Sequence, residues 1–279
     1  MQVVERVFQL LDELGRDESG VGVTRLAERL ELPPSTVHRL LSVLAERQLV
    51  VQDPDLRHYR LGPAVLRLGD SYQRQNRLIA VGRGYLASLE ANAGESAFLT
   101  ELINDDAICV ATAESYRPLR FFMRIGQRMP YHAAASARAI LAFQPLLDAE
   151  RLLRKEKLDR FTEATPTTIE QALEELGRVR QCGYAVCDQE IEVGVAAISV
   201  PVRQGSGHVR ASLSIIAPHE RLTGERKNAL IQMLLDAAIG ISTTLGYQPP
   251  QVASTQSLRK PQKPRGLARS SVEVDSQPL

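Results

Sequence analysis

Hydrophobic positions recur along this chain with a spacing that changes several times, and each change marks a boundary. Val4, Val7, Leu10, Leu11 and Leu14 follow helical spacing, and Gly15 with the polar stretch 16–20 ends that helix. The stretch 23–30, Val-Thr-Arg-Leu-Ala-Glu-Arg-Leu, repeats the pattern until Leu32-Pro33-Pro34 interrupts it, because proline cannot donate to a continuing helix. Pro34 suits a first helical turn, and Val37, Leu40, Leu41 and Leu44 then form one buried stripe. After Leu49 the spacing becomes that of strands: Val50-Val51-Gln52, a turn at Asp53-Pro54-Asp55, and a return over 57–61. Two short helices around a proline-marked turn, followed by a charged β-ribbon, predict a winged helix-turn-helix over 1–62.

Beyond Gly62-Pro63, apolar residues from Leu66 to Leu89 predict one continuous linker helix over 63–92. At ~1.5 Å per residue it would span about 40 Å, its stripe pairing with a second subunit or packing on its own domain. From Ala93-Gly94 the pattern changes again. Strands are expected at 97–102, 107–113 and 119–125, helices at 132–143, 146–155 and 168–181, strands at 183–188, 196–202 and 209–216, and a closing helix at 223–245. Strands, helices, strands and a last helix make an α+β sensor domain over 93–247, an antiparallel sheet with flanking helices. The tail 248–279, with Pro249, Pro250, Pro261, Pro264 and Pro278 among Ser, Gln and basic residues, is expected to be disordered.

The polar face of the second helix carries the first candidate chemistry. Ser35, Thr36, His38 and Arg39 lie in its N-terminal half, the part that reaches base edges and phosphates when such a helix enters the major groove. With Thr24 on the helix before it, and Arg57 and Tyr59 on the wing, they are the expected contacts to double-stranded DNA. A solvated helix face has the same composition, and a winged helix that pairs only with proteins is an alternative. Charge also limits the reading: residues 1–62 hold eight Arg, no Lys and ten acids, a net −2. The basic groups cluster on the reading helix and wing (Arg39, Arg47, Arg57, His58, Arg60), while Glu5, Asp12, Glu13, Asp17 and Glu18 lie in and just after the first helix. One copy of such a head binds weakly, so several copies on one operator are expected.

The whole chain, 279 residues with 44% hydrophobic content and net charge +1, excludes the extreme classes. No apolar run approaches the roughly 20 residues of a membrane span, and the first residues lack the basic start and apolar core of a secretion signal. A cytoplasmic protein without a membrane partner is expected. Cys109, Cys182 and Cys187 fit neither a disulfide framework nor a zinc knuckle, so no metal and no cofactor are predicted. An enzyme would have to use His132 with Asp188, or Cys187 as nucleophile, because a nucleophile elbow, a phosphate loop and clustered His/Cys ligands are lacking in the sequence. His132 equally suits packing at a helix start. Asp188, Glu190 and Glu192 suit either a cation site or a solvated cluster, and Ser214 suits a satisfied buried hydroxyl.

With both halves placed, residues 3–247 resemble the IclR family of bacterial transcriptional regulators. The resemblance is carried by Pro-Ser-Thr-Val-His-Arg-Leu-Leu at 34–41, Tyr-Arg-Leu-Gly at 59–62, Met-Pro-Tyr-His-Ala-Ala-Ala-Ser-Ala-Arg-Ala-Ile-Leu-Ala at 129–142, and the stretch from Asp188 to Val202. It implies a regulator that binds a palindromic operator as a dimer or dimer of dimers. It also implies a GAF-like C-terminal domain binding a small molecule, often a carboxylate or aromatic acid, between the sheet and the helix that begins near His132. Ala135 and Ser136 stand at that helix start, where free N–H groups attract a carboxylate. Asp188 and Ser214 match family positions that contact ligand, and Ala197 and Ile216 match positions that are polar in some members. Ala134, Ala137 and Arg138 replace the family's Thr, Gly and Lys. Fewer neutral hydrogen-bonding groups imply a more apolar, aromatic acid over a small oxo acid.

Overall fold

The computed structural model describes residues 2–248. The tail expected to be disordered lies, from residue 249 on, outside the described residues. The N-terminal part is α1 (Gln2–Arg16), α2 (Val23–Arg29), α3 (Pro34–Glu46) and a two-stranded ribbon of β1 (Val50–Gln52) and β2 (Tyr59–Leu61). Leu10, Leu14, Leu26, Val37, Leu41 and Val50 form its core. Pro33 and Pro34 separate the helices as expected, Pro34 occupying the first turn of α3. The ribbon turns at Asp53, whose Oδ1 accepts from the amides of Asp55 (3.0 Å) and Leu56 (2.9 Å).

The single linker helix is corrected to two, α4 (Pro63–Gln75) and α5 (Arg77–Ala93), broken at Asn76. Asn76 has extended backbone and caps α5, its Oδ1 accepting from the Ile79 amide at 3.1 Å. Its Nδ2 donates to Glu101 at 2.7 Å, which ties the break to the sheet. The two halves bury different surfaces. Leu78, Ile79, Leu86 and Leu89 of α5 pack in the core of the C-terminal domain, whereas Leu66 (76% exposed), Leu68 (64%) and Tyr72 (45%) of α4 face outward.

The C-terminal domain is built on β3 (Ser96–Ile103), β4 (Asp106–Ala113), β5 (Ala185–Asp188), β6 (Val195–Arg203) and β7 (Val209–Pro218). They form one antiparallel sheet in the order β4-β3-β7-β6-β5. Strand alternation sorts the side chains between two cores. Ala97, Leu99, Ile198, Val200, Leu213 and Ile215 meet α5 and the closing helix α9 (Gly224–Thr244). A Cβ on Gly82 of α5 would lie 2.2 Å from Leu99 Cδ1, so a larger residue there would displace the buried Leu99 side chain. The other face meets α6 (Ala135–Leu141), backed by α7 (Leu146–Lys155) and α8 (Ile169–Cys182). Every residue of α6 is buried, and its alanines bring it close enough for Ser212 Oγ to donate to the Ser136 carbonyl at 2.8 Å. No helix among the described residues is long and apolar enough to cross a membrane.

Two further expectations are corrected here. The helix over 132–143 shortens to Ala135–Leu141: Ala134 has extended backbone, and the His132 carbonyl before it accepts from Arg138 Nε at 3.1 Å. The strand over 119–125 is irregular. Pro118 supplies no donor, and the chain rejoins the edge of β4 only at Gly126 to Met129. There the Gly126 amide donates to Cys109 O (2.8 Å), the Cys109 amide to Gln127 O (2.9 Å) and the Met129 amide to Ala107 O (2.8 Å). At its start, Ser115 Oγ donates to Gly94 O at 2.8 Å. Buried Glu95 gathers Arg226 (2.9 Å), Arg221 (3.1 Å) and Arg117 (3.6 Å) beside it.

Candidate functional site

Two surfaces carry the candidate chemistry. On the N-terminal part, Thr24, Ser35, His38, Arg39 and Arg57 are exposed and Thr36 is half-buried, all available to a duplex docked along α3 and the ribbon. Two of the acids in and just after the first helix are engaged elsewhere: Glu13 pairs with Arg16 and Arg29, and Asp17 with Arg29. Among the described residues Arg25, Arg39, Arg57 and Arg60 form no ion pair. Tyr59 is corrected. It exchanges backbone hydrogen bonds with Val21, both at 2.9 Å, and its ring points into the core, leaving Arg60 on the outer side of the strand.

On the C-terminal domain a cavity of about 480 Å³ opens between α6 and the sheet. Phe98 of β3, Ala134, Ala135 and Ser136 at the start of α6, Ala197 of β6 and Ile216 of β7 form its floor. Phe121, Phe122 and Met123 wall one side, with Met129 and Phe161. Five of the seven expected ligand positions therefore come together, and two do not. Asp188 turns to the surface and pairs with His219 Nδ1 at 2.5 Å. Ser214 is fully buried and shares a hydrogen bond with Ser199, 2.7 Å between the hydroxyl oxygens.

The polar groups around the cavity are largely engaged with one another. Buried His132 places Nδ1 3.3 Å from Glu156 and Nε2 3.0 Å from Asp159 O, and stacks on Phe161 with centroids 5.7 Å apart. Burial works to lower the His132 pKa, but the Glu156 carboxylate and the Asp159 carbonyl outweigh it and hold it above the ordinary histidine value. Arg138 lies beneath the cavity, 1% exposed, donating to His132 O, to Val186 O (3.2 Å) and to Glu190 (3.0 Å). The exception is Ser136: its Oγ is buried and has no partner, which costs roughly 1–3 kcal/mol unless a bound molecule supplies one.

These placements do not make a catalytic set. His132 and Asp188 each answer to a different partner, and burial pushes the Cys187 thiol up to about 11, so it is protonated at neutral pH. The walls of the cavity, Phe121 to Met123 and Phe161, escaped the sequence reading. Their signal was an apolar run punctuated by arginines, too charged for a central strand yet too apolar for a plain loop.

A winged helix-turn-helix joined to a domain with such a cavity defines the class: a DNA-binding transcriptional regulator with a ligand-binding C-terminal domain. The chain belongs to the IclR family. The family model described as bacterial transcriptional regulator IclR C-terminal matches residues 71–243, and the IclR helix-turn-helix domain matches residues 3–54. The HTH-type transcriptional regulator BhcR of Paracoccus denitrificans is 32% identical over 242 residues, 87% of this chain and 86% of that protein. The HTH-type transcriptional repressor AllR of Salmonella typhi is 31% identical over 251 residues, covering 89% and 92%. Among solved structures, an IclR transcriptional regulator from Alicyclobacillus acidocaldarius superposes with a TM-score of 0.76 at 28% identity, over 88% of this chain and 99% of that one. These relatives are named as regulators and repressors, not enzymes.

Proposed function

We propose that this protein is a ligand-responsive regulator acting in the cytoplasm, where operator DNA and metabolite meet. It binds a palindromic operator as a homodimer or dimer of dimers through Thr24, Ser35, Thr36, His38, Arg39 and Arg57. A small organic acid with an aromatic body enters the C-terminal cavity and shifts the population of DNA-competent assemblies. The observation that carries this reading is the cavity itself: largely apolar walls and, among its described lining residues, a buried hydroxyl, that of Ser136, with no protein partner. Self-association is supported by the outward Leu66, Leu68 and Tyr72 of α4, together with Val4 and Phe8 of α1 (each 59% exposed). Two copies on one duplex also compensate for the net acidity of a single head.

The test pairs DNA binding with ligand binding. In fluorescence anisotropy on promoter fragments, Thr36→Ala with Arg39→Ala lowers operator affinity at least about tenfold, since each good base contact is worth roughly 1–3 kcal/mol. Calorimetric affinity for the acid stays that of the wild type. Operator binding unchanged by the double substitution removes α3 as the reading helix.

A further inference from the structure

The size and charge of the cavity define its ligand more narrowly than an aromatic acid. A site of about 150 Å³ holds one benzene ring, whereas this one measures about 480 Å³. Much of its lining is apolar: Phe98, Phe121, Phe122, Met123, Met129 and Phe161 border it, and Ala134, Ala135 and Ala197 keep the floor low. A single-ring acid would leave much of that surface facing water or void, and unfilled apolar volume forfeits contacts.

Charge sets the second limit. Arg128 at the mouth lies 2.7 Å from Asp106, Lys157 lies 2.6 Å from Asp159, and His132 faces Glu156. Arg138 beneath the floor is held by Glu190. Among the described residues, then, every cation that lines or underlies the cavity already has a carboxylate, and Glu192 adds one acid more. One acid group can be met by the unpartnered Ser136 hydroxyl once it turns from its buried position into the cavity, but a second finds no counter-charge.

We infer that the ligand is a monoacid whose apolar body spans at least two ring-sized volumes, an aryl-alkanoic or comparable long acyl acid, and not a benzoate-sized or dicarboxylic one. This rests on the proposal that the cavity binds an organic acid. The test is isothermal calorimetry of the full chain with benzoate, phenylacetate, 3-phenylpropanoate, 4-phenylbutanoate and 6-phenylhexanoate, with glutarate as the dicarboxylate. Affinity is expected to rise about fourfold per methylene along the series, with benzoate and glutarate weakest. Ala197→Phe, which fills the floor, then costs the longest member at least about tenfold and benzoate little. If that variant does not fold, Phe161→Ala on the wall serves instead, weakening the long members selectively. A series that is flat or peaks at benzoate, or tighter binding of glutarate, overturns the size and charge inference while leaving the organic-acid reading standing. Heats absent for every member overturn both.

Discussion

Glu190→Gln is expected to destabilise this protein far more than a change of one atom suggests. Arg138 is 1% exposed and its partner 13%, so the guanidinium depends on this carboxylate for its charge balance. Its other acceptors, His132 O and Val186 O, are neutral carbonyls and do not replace it. Removing one partner of a buried pair costs about 3–5 kcal/mol, because the other charge is left uncompensated. Gln keeps one acceptor and the pair retains some solvent contact, which places the expectation at the lower end, about 3 kcal/mol. At roughly 2–4 °C per kcal/mol for a unit of this length, the melting midpoint falls by about 6–12 °C. The chain has no tryptophan, so far-UV circular dichroism is the appropriate probe, by thermal and urea unfolding. Arg138→Met with Glu190→Leu removes both charges and should recover most of the loss, since buried pairs exchange for apolar groups at little net cost. A Glu190→Gln variant within about 0.5 kcal/mol of wild type would refute the reasoning, as would a double variant no more stable than the single one.

Two further outcomes follow from groups facing the cavity. Because the folded-state pKa of His132 is raised, its contribution to stability is fully present below the unfolded value of about 6.5 and is lost as pH rises through the folded value. The melting-point gap between wild type and His132→Gln should therefore narrow between pH 6 and pH 8, and a gap independent of pH would contradict the His132–Glu156 pairing. Alkylation followed by mass spectrometry should modify exposed Cys182 first and Cys187 slowly, with a bound acid slowing Cys187 further because that thiol lines the cavity. Equal rates at the two cysteines would place Cys187 outside the site.

What local spacing encodes, the sequence displayed openly. Pro33-Pro34 and the stripe Val37, Leu40, Leu41, Leu44 specify the helix-turn-helix because each acts within a few residues. The alternation in β6 and β7 likewise shows which side chains face which core. Several of the failures share one cause, a partner distant in the chain. An apolar stripe continues across Asn76, but the break is stabilised by Glu101 on another element. Tyr59 sits in a strand of only three residues, too short for alternation to establish a face, and its orientation follows from pairing with Val21. Asp188 and Ser214 look free for ligand until His219 and Ser199, 31 and 15 residues along, occupy them.

The irregular segment 114–128 lines both the cavity and a cleft beside the N-terminal helices. Its start is held by Ser115 and the arginines around Glu95, one of which, Arg221, also donates to Leu119 O at 3.2 Å, and its end by backbone bonds to β4. Its middle has two sides. Phe121, Phe122 and Met123 face the cavity, while Arg124, Ile125 and Gly126 border a cleft lined by Leu11 of α1, Leu61 of β2 and Val65 of α4. In the proposed reading, a ligand filling the cavity lies against the first side, and a displacement there would reach the second, beside α1 and α4. Energy flows both ways through such a contact. Whatever factor the acid imposes on operator affinity, operator DNA imposes on affinity for the acid, so a segment that signalled in one direction only would violate the linkage between the two sites.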